Sequence, residues 1–208
     1  MPEEMLHARS NGSLSAPLLP SAPSIGVWQL IGHSNRNEVL RDAFAWVIAA
    51  HCNPQSESFI PALGLDYATF TEILNRYFPR FIPPQYWLEA QIRQVGKNGM
   101  LEEFPDLLQL LLDHCMVKDA HHRCITHLVA AACMGGDHLW QDMGLPNRQA
   151  LSELLSTHFP ALTAKNRGDM KWKKFFYKQL CEREGINACK APSCAVCCDY
   201  SKCFGPED

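Results

Sequence analysis

A chain of 208 residues with 19 basic and 22 acidic side chains has the length of one domain, and its formal charge of −3 argues against the broad positive surface that duplex nucleic acid requires. Hydrophobic residues at 47% against 20% charged are enough for a core, which excludes wholesale disorder. No run of about 18 uncharged apolar residues occurs and Glu3 and Glu4 interrupt the start, so no membrane span and no secretory signal is expected and the chain is assigned to the reducing cytoplasm.

Residues 1–24 mix Pro, Ser, Gly and Ala with leucines that settle into no period, the pattern of a flexible leader. A helical domain is expected over 25–188. Its first strong helix is NEVLRDAFAWVIAAHC, where Val39, Leu40, Ala43, Phe44, Val47 and Ile48 recur at steps of three and four. Asp66 caps a second, with Phe70, Ile73, Leu74 and Tyr77 as its apolar stripe and Phe78-Pro79 as its stop. Helices follow at 85–94 and 103–116, the latter with Pro105 in its first turn and Leu107, Leu108, Leu111 and Leu112 facing inward. The stretch HHRCITHLVAAACM makes a fifth helix, and Gly135-Gly136 offer it a left-handed end. Asp137 starts a short HLWQDM helix, Leu151, Leu154, Leu155 and His158 share one face of the next, and DMKWKKFFYKQLC is the last. No alternating strand pattern appears, so the fold class is all-α, a compact multi-helix bundle.

An internal echo runs at an offset of 81 residues. Ala49, Ala50 and Cys52 recur as Ala130, Ala131 and Cys133, and Glu72, Leu74, Phe78 and Pro79 as Glu153, Leu155, Phe159 and Pro160. Both copies place Gly-Leu before the second helix, with one extra residue in one copy. A duplicated helical hairpin and chance similarity among Leu-rich helices both account for it.

Of ten cysteines, six fall between Cys181 and Cys203, and a reducing compartment turns such a count toward metal ligation. In the tail at 189–208, Cys189, Cys194, Cys197 and Cys203 follow a C-x4-C-x2-C-x5-C spacing that can wrap one centre. Four soft thiolates suit one tetrahedral zinc or the corners of an iron-sulfur cubane, and spacing leaves both open. Cys181 and Cys198 are spare thiols or accessory groups.

The run MKWKKFFYKQLC, the cysteine motif with Phe204-Gly205 behind it, and HLWQDMGLPNR from His138 to Arg148 resemble the NifQ family of nitrogen-fixation accessory proteins. The resemblance implies a molybdenum-iron-sulfur carrier, not an enzyme, that supplies molybdenum for the nitrogenase iron-molybdenum cofactor. It implies an iron-sulfur cluster, 4Fe-4S or Mo-3Fe-4S, on Cys189, Cys194, Cys197 and Cys203. It further implies the cofactor-assembly scaffold and the reductase component as partners. The alternative is an interaction protein whose zinc site fixes a docking surface. Dinucleotide loops, phosphate loops and zincin motifs are absent from the sequence.

Accessory sites are expected at three places. Cys124 and His127, three apart on one helix, form a metal pair or a core thiol beside a hydrogen-bonded imidazole. His138, near a helix start, either meets an entering molybdate or is a partly buried imidazole that supports the HLWQD turn. Residues 164–190 carry eight basic and three acidic side chains, +5 on a chain whose remainder is −8. There Lys171, Lys174 and Lys178 form a strip that attracts an anion or an acidic partner, or is simply the solvated face of its helix. The aromatic residues of that helix are needed for the core, which weighs against nucleic acid as a partner.

Overall fold

Apolar residues at helical spacing with polar ones between them can be buried only by packing helix on helix. A computed structural model describes residues 25–31, 39–56, 58–94, 102–185 and 200–207, and over these it contains eleven helices and no strand. They are α1 (Val27–Ile31), α2 (Val39–His51), α3 (Tyr67–Tyr77), α4 (Gln85–Gln94), α5 (Glu103–Asp113), α6 (Ala120–Cys133), α7 (Leu139–Asp142), α8 (Arg148–His158), α9 (Pro160–Thr163), α10 (Trp172–Arg183) and α11 (Tyr200–Phe204). The leader at 1–24 and Cys189, Cys194, Cys197 and Cys198 lie outside the described residues. Among the described residues no helix is long and apolar enough to cross a membrane.

The centre of the bundle is α6, where every residue from Cys124 to Cys133 is buried. A helix apolar on all sides needs neighbours on all sides, and α2, α3, α5 and α7 supply them. In α10 the expected stripe of Trp172, Phe175, Phe176 and Leu180 is buried, and this helix lies against α5. Asp66 caps α3 through its carboxylate on the Thr69 amide at 2.9 Å, as the sequence predicts.

Between α2 and α3 the chain makes a left-handed turn with φ of +51° at Ala62, +55° at Leu63 and +74° at Gly64. Two non-glycine residues in that region cost on the order of 1 kcal/mol each, so the surroundings must hold them. The wholly buried Gln91 does so, accepting from the Ala62 amide at 2.9 Å and donating to the Cys52 carbonyl at 2.9 Å. On the other side His127 Nδ1 donates to the Leu63 carbonyl at 2.9 Å.

Several expectations change. Val39, the first residue of α2, is half exposed, and Leu40 is only partly buried against the core. In α5 Phe104, Leu107, Leu110 and Leu111 are buried, while Leu108 and Leu112 sit at the edge, a rotation of the stripe toward α6. That helix ends at Asp113, where His114 Nδ1 donates back to the Leu110 carbonyl at 2.9 Å. Gly135 and Gly136 do not take positive φ; α6 closes through Met134 in ordinary right-handed geometry. The α7 cap is His138 rather than Asp137, with the Gln141 side chain accepting from the His138 amide at 3.1 Å. The short helices α1, α9 and α11 carry too few residues for a periodic signal.

The two echoing segments share local geometry. Phe78 and Phe159 end their helices at φ/ψ of −131°/55° and −133°/51°, each amide bonded to the carbonyl four residues back, Leu74 and Leu155. Gly64 and Gly144 both take positive φ ahead of a capped helix.

Candidate metal and anion site

The entry to α10 is fixed from a distance. Arg148, in the first turn of α8, donates through Nη2 to the Asp169 carboxylate at 2.9 Å, the Asp169 carbonyl at 2.9 Å and the Met170 carbonyl at 3.0 Å. Asn166 bonds both the amide and the carbonyl of Met170, at 2.9 and 2.8 Å. A fork of this kind holds the backbone at Asp169, whose φ of +53° would otherwise be unfavourable. The next amide, that of Lys171, donates to the carbonyl of Cys203 at 2.7 Å. In this way α11 is attached to the start of α10.

Within α11 the Tyr200 and Phe204 rings stack at 4.5 Å, and Cys203 and Phe204 lie half-buried on the core. Cys203 is the one member of the four-cysteine motif among the described residues, so the structure places it and leaves the other three outside the description. Its thiol is half-buried and soft, as a ligand for a thiophilic metal must be. The core thiols are different. Burial pushes Cys52 and Cys133 up to about 12 and raises Cys124, so none of these readily becomes the thiolate that binds metal. Cys181 is half-buried on α10. Among the described residues no three His, Cys, Asp or Glu side chains converge on a metal-ligating point.

A second tie joins α10 to the α6–α7 corner. Lys173 Nζ pairs with the Asp142 carboxylate and donates to the Gly135 carbonyl at 2.8 Å. Gly135 is required here for space rather than for conformation, because a Cβ at that position would collide with the Asp142 carboxyl group.

Beside these ties lies a cleft of about 230 Å³. His138 lines it from α7, Lys171 and Lys174 from α10, and Lys202 and Glu207 from the α11 segment. The Glu207 side chain is only 4% exposed, and its carboxylate stands 3.7 Å from Arg148 Nε and 3.9 Å from His138 Nδ1. A larger cleft of about 620 Å³ is lined by Met170, Phe175, Lys178, Glu182, Tyr200 and Phe204.

The structure therefore brings together His138, Lys171 and Lys174, which the sequence singles out. It separates Lys178, which faces the larger cleft with Glu182 at 3.6 Å. His127 is engaged with the Leu63 carbonyl, and its burial lowers the imidazole's proton affinity. Lys202 and Glu207 also line the cleft; Lys202 adjoins Cys203 in sequence, whereas no local signal marks Glu207.

Fold and site define an all-helical protein that carries a half-buried cysteine next to a basic cleft. The chain belongs to the NifQ family, whose sequence model matches residues 43–205, a span that includes all four motif cysteines. It is 39% identical over 152 residues to Protein NifQ of Azotobacter vinelandii, covering 70% of this chain and 78% of that one. It is 40% identical over 144 residues to a NifQ homolog of Sinorhizobium fredii, covering 69% of this chain and 61% of the relative. Protein NifQ of Rhodobacter capsulatus is 32% identical over 145 residues, 70% of this chain and 77% of that protein. No solved structure matches the chain.

Proposed function

We propose that the chain is a cytoplasmic, non-enzymatic carrier that holds molybdenum with an iron-sulfur cluster and delivers it for assembly of the nitrogenase iron-molybdenum cofactor. The observation that carries this reading is the tie of Cys203, last of four regularly spaced thiols, to the basic start of α10 beside an anion-sized cleft. Molybdenum arrives as an oxyanion with hard oxygen ligands and must leave in sulfur coordination, so a carrier needs cationic groups for arrival and thiolates for retention. Cys189, Cys194 and Cys197 complete the ligand set with Cys203, on the tail at 189–208. A four-iron cluster with every thiolate engaged has no vacant position, so loading requires a three-iron form or the loss of one corner.

The recipient is the cofactor-assembly scaffold, acting with the reductase component. Lys174 and Lys178, both exposed, steer an acidic partner toward α10. Cys181 and Cys198 serve as exchange thiols, Cys198 being next to Cys197 in sequence. The two Gly-Leu-helix-Phe-Pro units descend from one hairpin used twice, on the strength of their matched helix ends.

The test is transfer of isotopically labelled molybdenum from the anaerobically purified chain to the scaffold, without excess free molybdate. Cys197→Ser should lose both cluster and transfer. Normal transfer from the cluster-free variant contradicts the carrier role, and a chain holding one zinc and no sulfide is instead an interaction protein with a structural zinc site.

A further inference from the structure

The cleft beside α7 gathers nitrogen-bearing side chains from three separate pieces of chain: His138, the pair Lys171 and Lys174, and Lys202. Lys173 also borders it but is held by Asp142, whereas Lys171 and Lys174 enter no ion pair among the described residues. Lys171 and Lys174, of like sign on one concave surface, repel each other at a cost that an anion offsets. Of the two carboxylates on the cleft's lining, Asp137 is exposed, and the buried one is the chain's own Glu207. Its fit is poor, for a carboxylate removed from water wants hydrogen bonds of about 2.7–2.9 Å, and Arg148 Nε and His138 Nδ1 stand at 3.7 and 3.9 Å. The Nε atom of Arg148 that faces it is buried with no hydrogen-bond partner.

We propose that this cleft is a binding site for a tetrahedral oxyanion and that Glu207 is its internal occupant, displaced when the anion enters. A dianion has twice the charge of Glu207 and four oxygens directed at the corners of a tetrahedron, which lysines approaching from separate elements match better than one planar carboxylate. The volume of about 230 Å³ accommodates such an ion with part of its water. Because Glu207 follows Cys203 by four residues, displacement acts on the segment that carries a motif cysteine. The inference rests on the carrier reading for the identity of the anion, molybdate, and on the cleft alone for the site.

Equilibrium dialysis of the full chain against labelled molybdate tests it, with sulfate and chloride as competitors at constant ionic strength. Glu207→Gln keeps the size of the side chain and removes the competing charge, so affinity should rise about threefold or more. The double variant Lys171→Ala, Lys174→Ala should weaken binding about tenfold. Sulfate should displace molybdate and chloride should not. Unchanged affinity in Glu207→Gln, or equal displacement by chloride, overturns the proposal, with far-UV circular dichroism confirming that each variant is folded. Iron and sulfide measured on the same samples keep the two claims apart. Altered affinity in a chain without iron and sulfide upholds the cleft and removes the carrier reading; parental affinity in variants with a normal cluster removes the cleft alone.

Discussion

The Lys171 amide donates to the Cys203 carbonyl at 2.7 Å, joining the first residue before α10 to the last cysteine of the motif. Arg148 fixes the turn that delivers Lys171, and Asp142 holds Lys173 two residues on. The segment from His138 to Arg148, the basic run and the final cysteine, far apart in sequence, thus form one unit. Their polar side chains act as ties between elements, which explains why charged residues recur in segments that are largely buried.

Glycines in this unit differ sharply in what they permit. Gly144 takes φ of +63° and a Cβ there would stand 2.6 Å from the Trp46 ring, whereas Gly136 has nothing within 4 Å and no positive φ. Gly144→Ala should destabilise by about 2–4 kcal/mol. Gly136→Ala should be neutral or stabilise by up to about 1 kcal/mol. Urea midpoints measure both, and equal effects would contradict this assignment.

Gly135 and Asp142 should be energetically coupled. Gly135→Ala drives a methyl group into the Asp142 carboxyl and disturbs its pairing with Lys173, costing about 1–3 kcal/mol. In an Asp142→Ala background the overlap is gone, so the same substitution should cost at least about 1 kcal/mol less. A double-mutant cycle with no coupling would show that the corner relaxes freely.

Stability should fall on mild acidification. His51, His127 and His158 have proton affinities lowered chiefly by burial. The unfolded chain therefore takes up protons below about pH 6.5 before the folded one does. The stability from burying these neutral rings is fully present above that pH and is lost as pH falls through their folded values. His127→Gln, which retains a donor for the Leu63 carbonyl, should show a shallower decline between pH 7 and 5 than the parent. Parallel slopes in urea titrations would remove His127 from this account.

Much of the bundle is legible in the sequence because burial and period coincide. In α3 the stripe Phe70, Ile73, Leu74 and Tyr77 lies at helical spacing and is buried. The α5 stripe is not legible, because five leucines in six residues satisfy two rotations equally, and only packing against α6 selects Leu110. The left-handed turn at Ala62 and Leu63 has no local signal, since it is imposed by Gln91 and His127 from elsewhere in the fold. His138 could be singled out from its place at a helix start. Glu207 could not, because its role depends on the return of α11 to α10.

The central claim is that the motif thiols hold an iron-sulfur cargo, and metal analysis of two serine variants tests it most directly. Iron, acid-labile sulfide and zinc should be quantified per folded chain after anaerobic purification of the parent, Cys203→Ser and Cys133→Ser. The account predicts iron with comparable sulfide in the parent. It predicts loss of both in Cys203→Ser without loss of helical signal, because α11 has five residues and its cysteine is half-buried. Cys133→Ser should keep its iron and sulfide while losing about 1–3 kcal/mol of stability, since it places a hydroxyl where a buried thiol now sits. One zinc without sulfide in the parent, or parental iron and sulfide in Cys203→Ser, would contradict the claim.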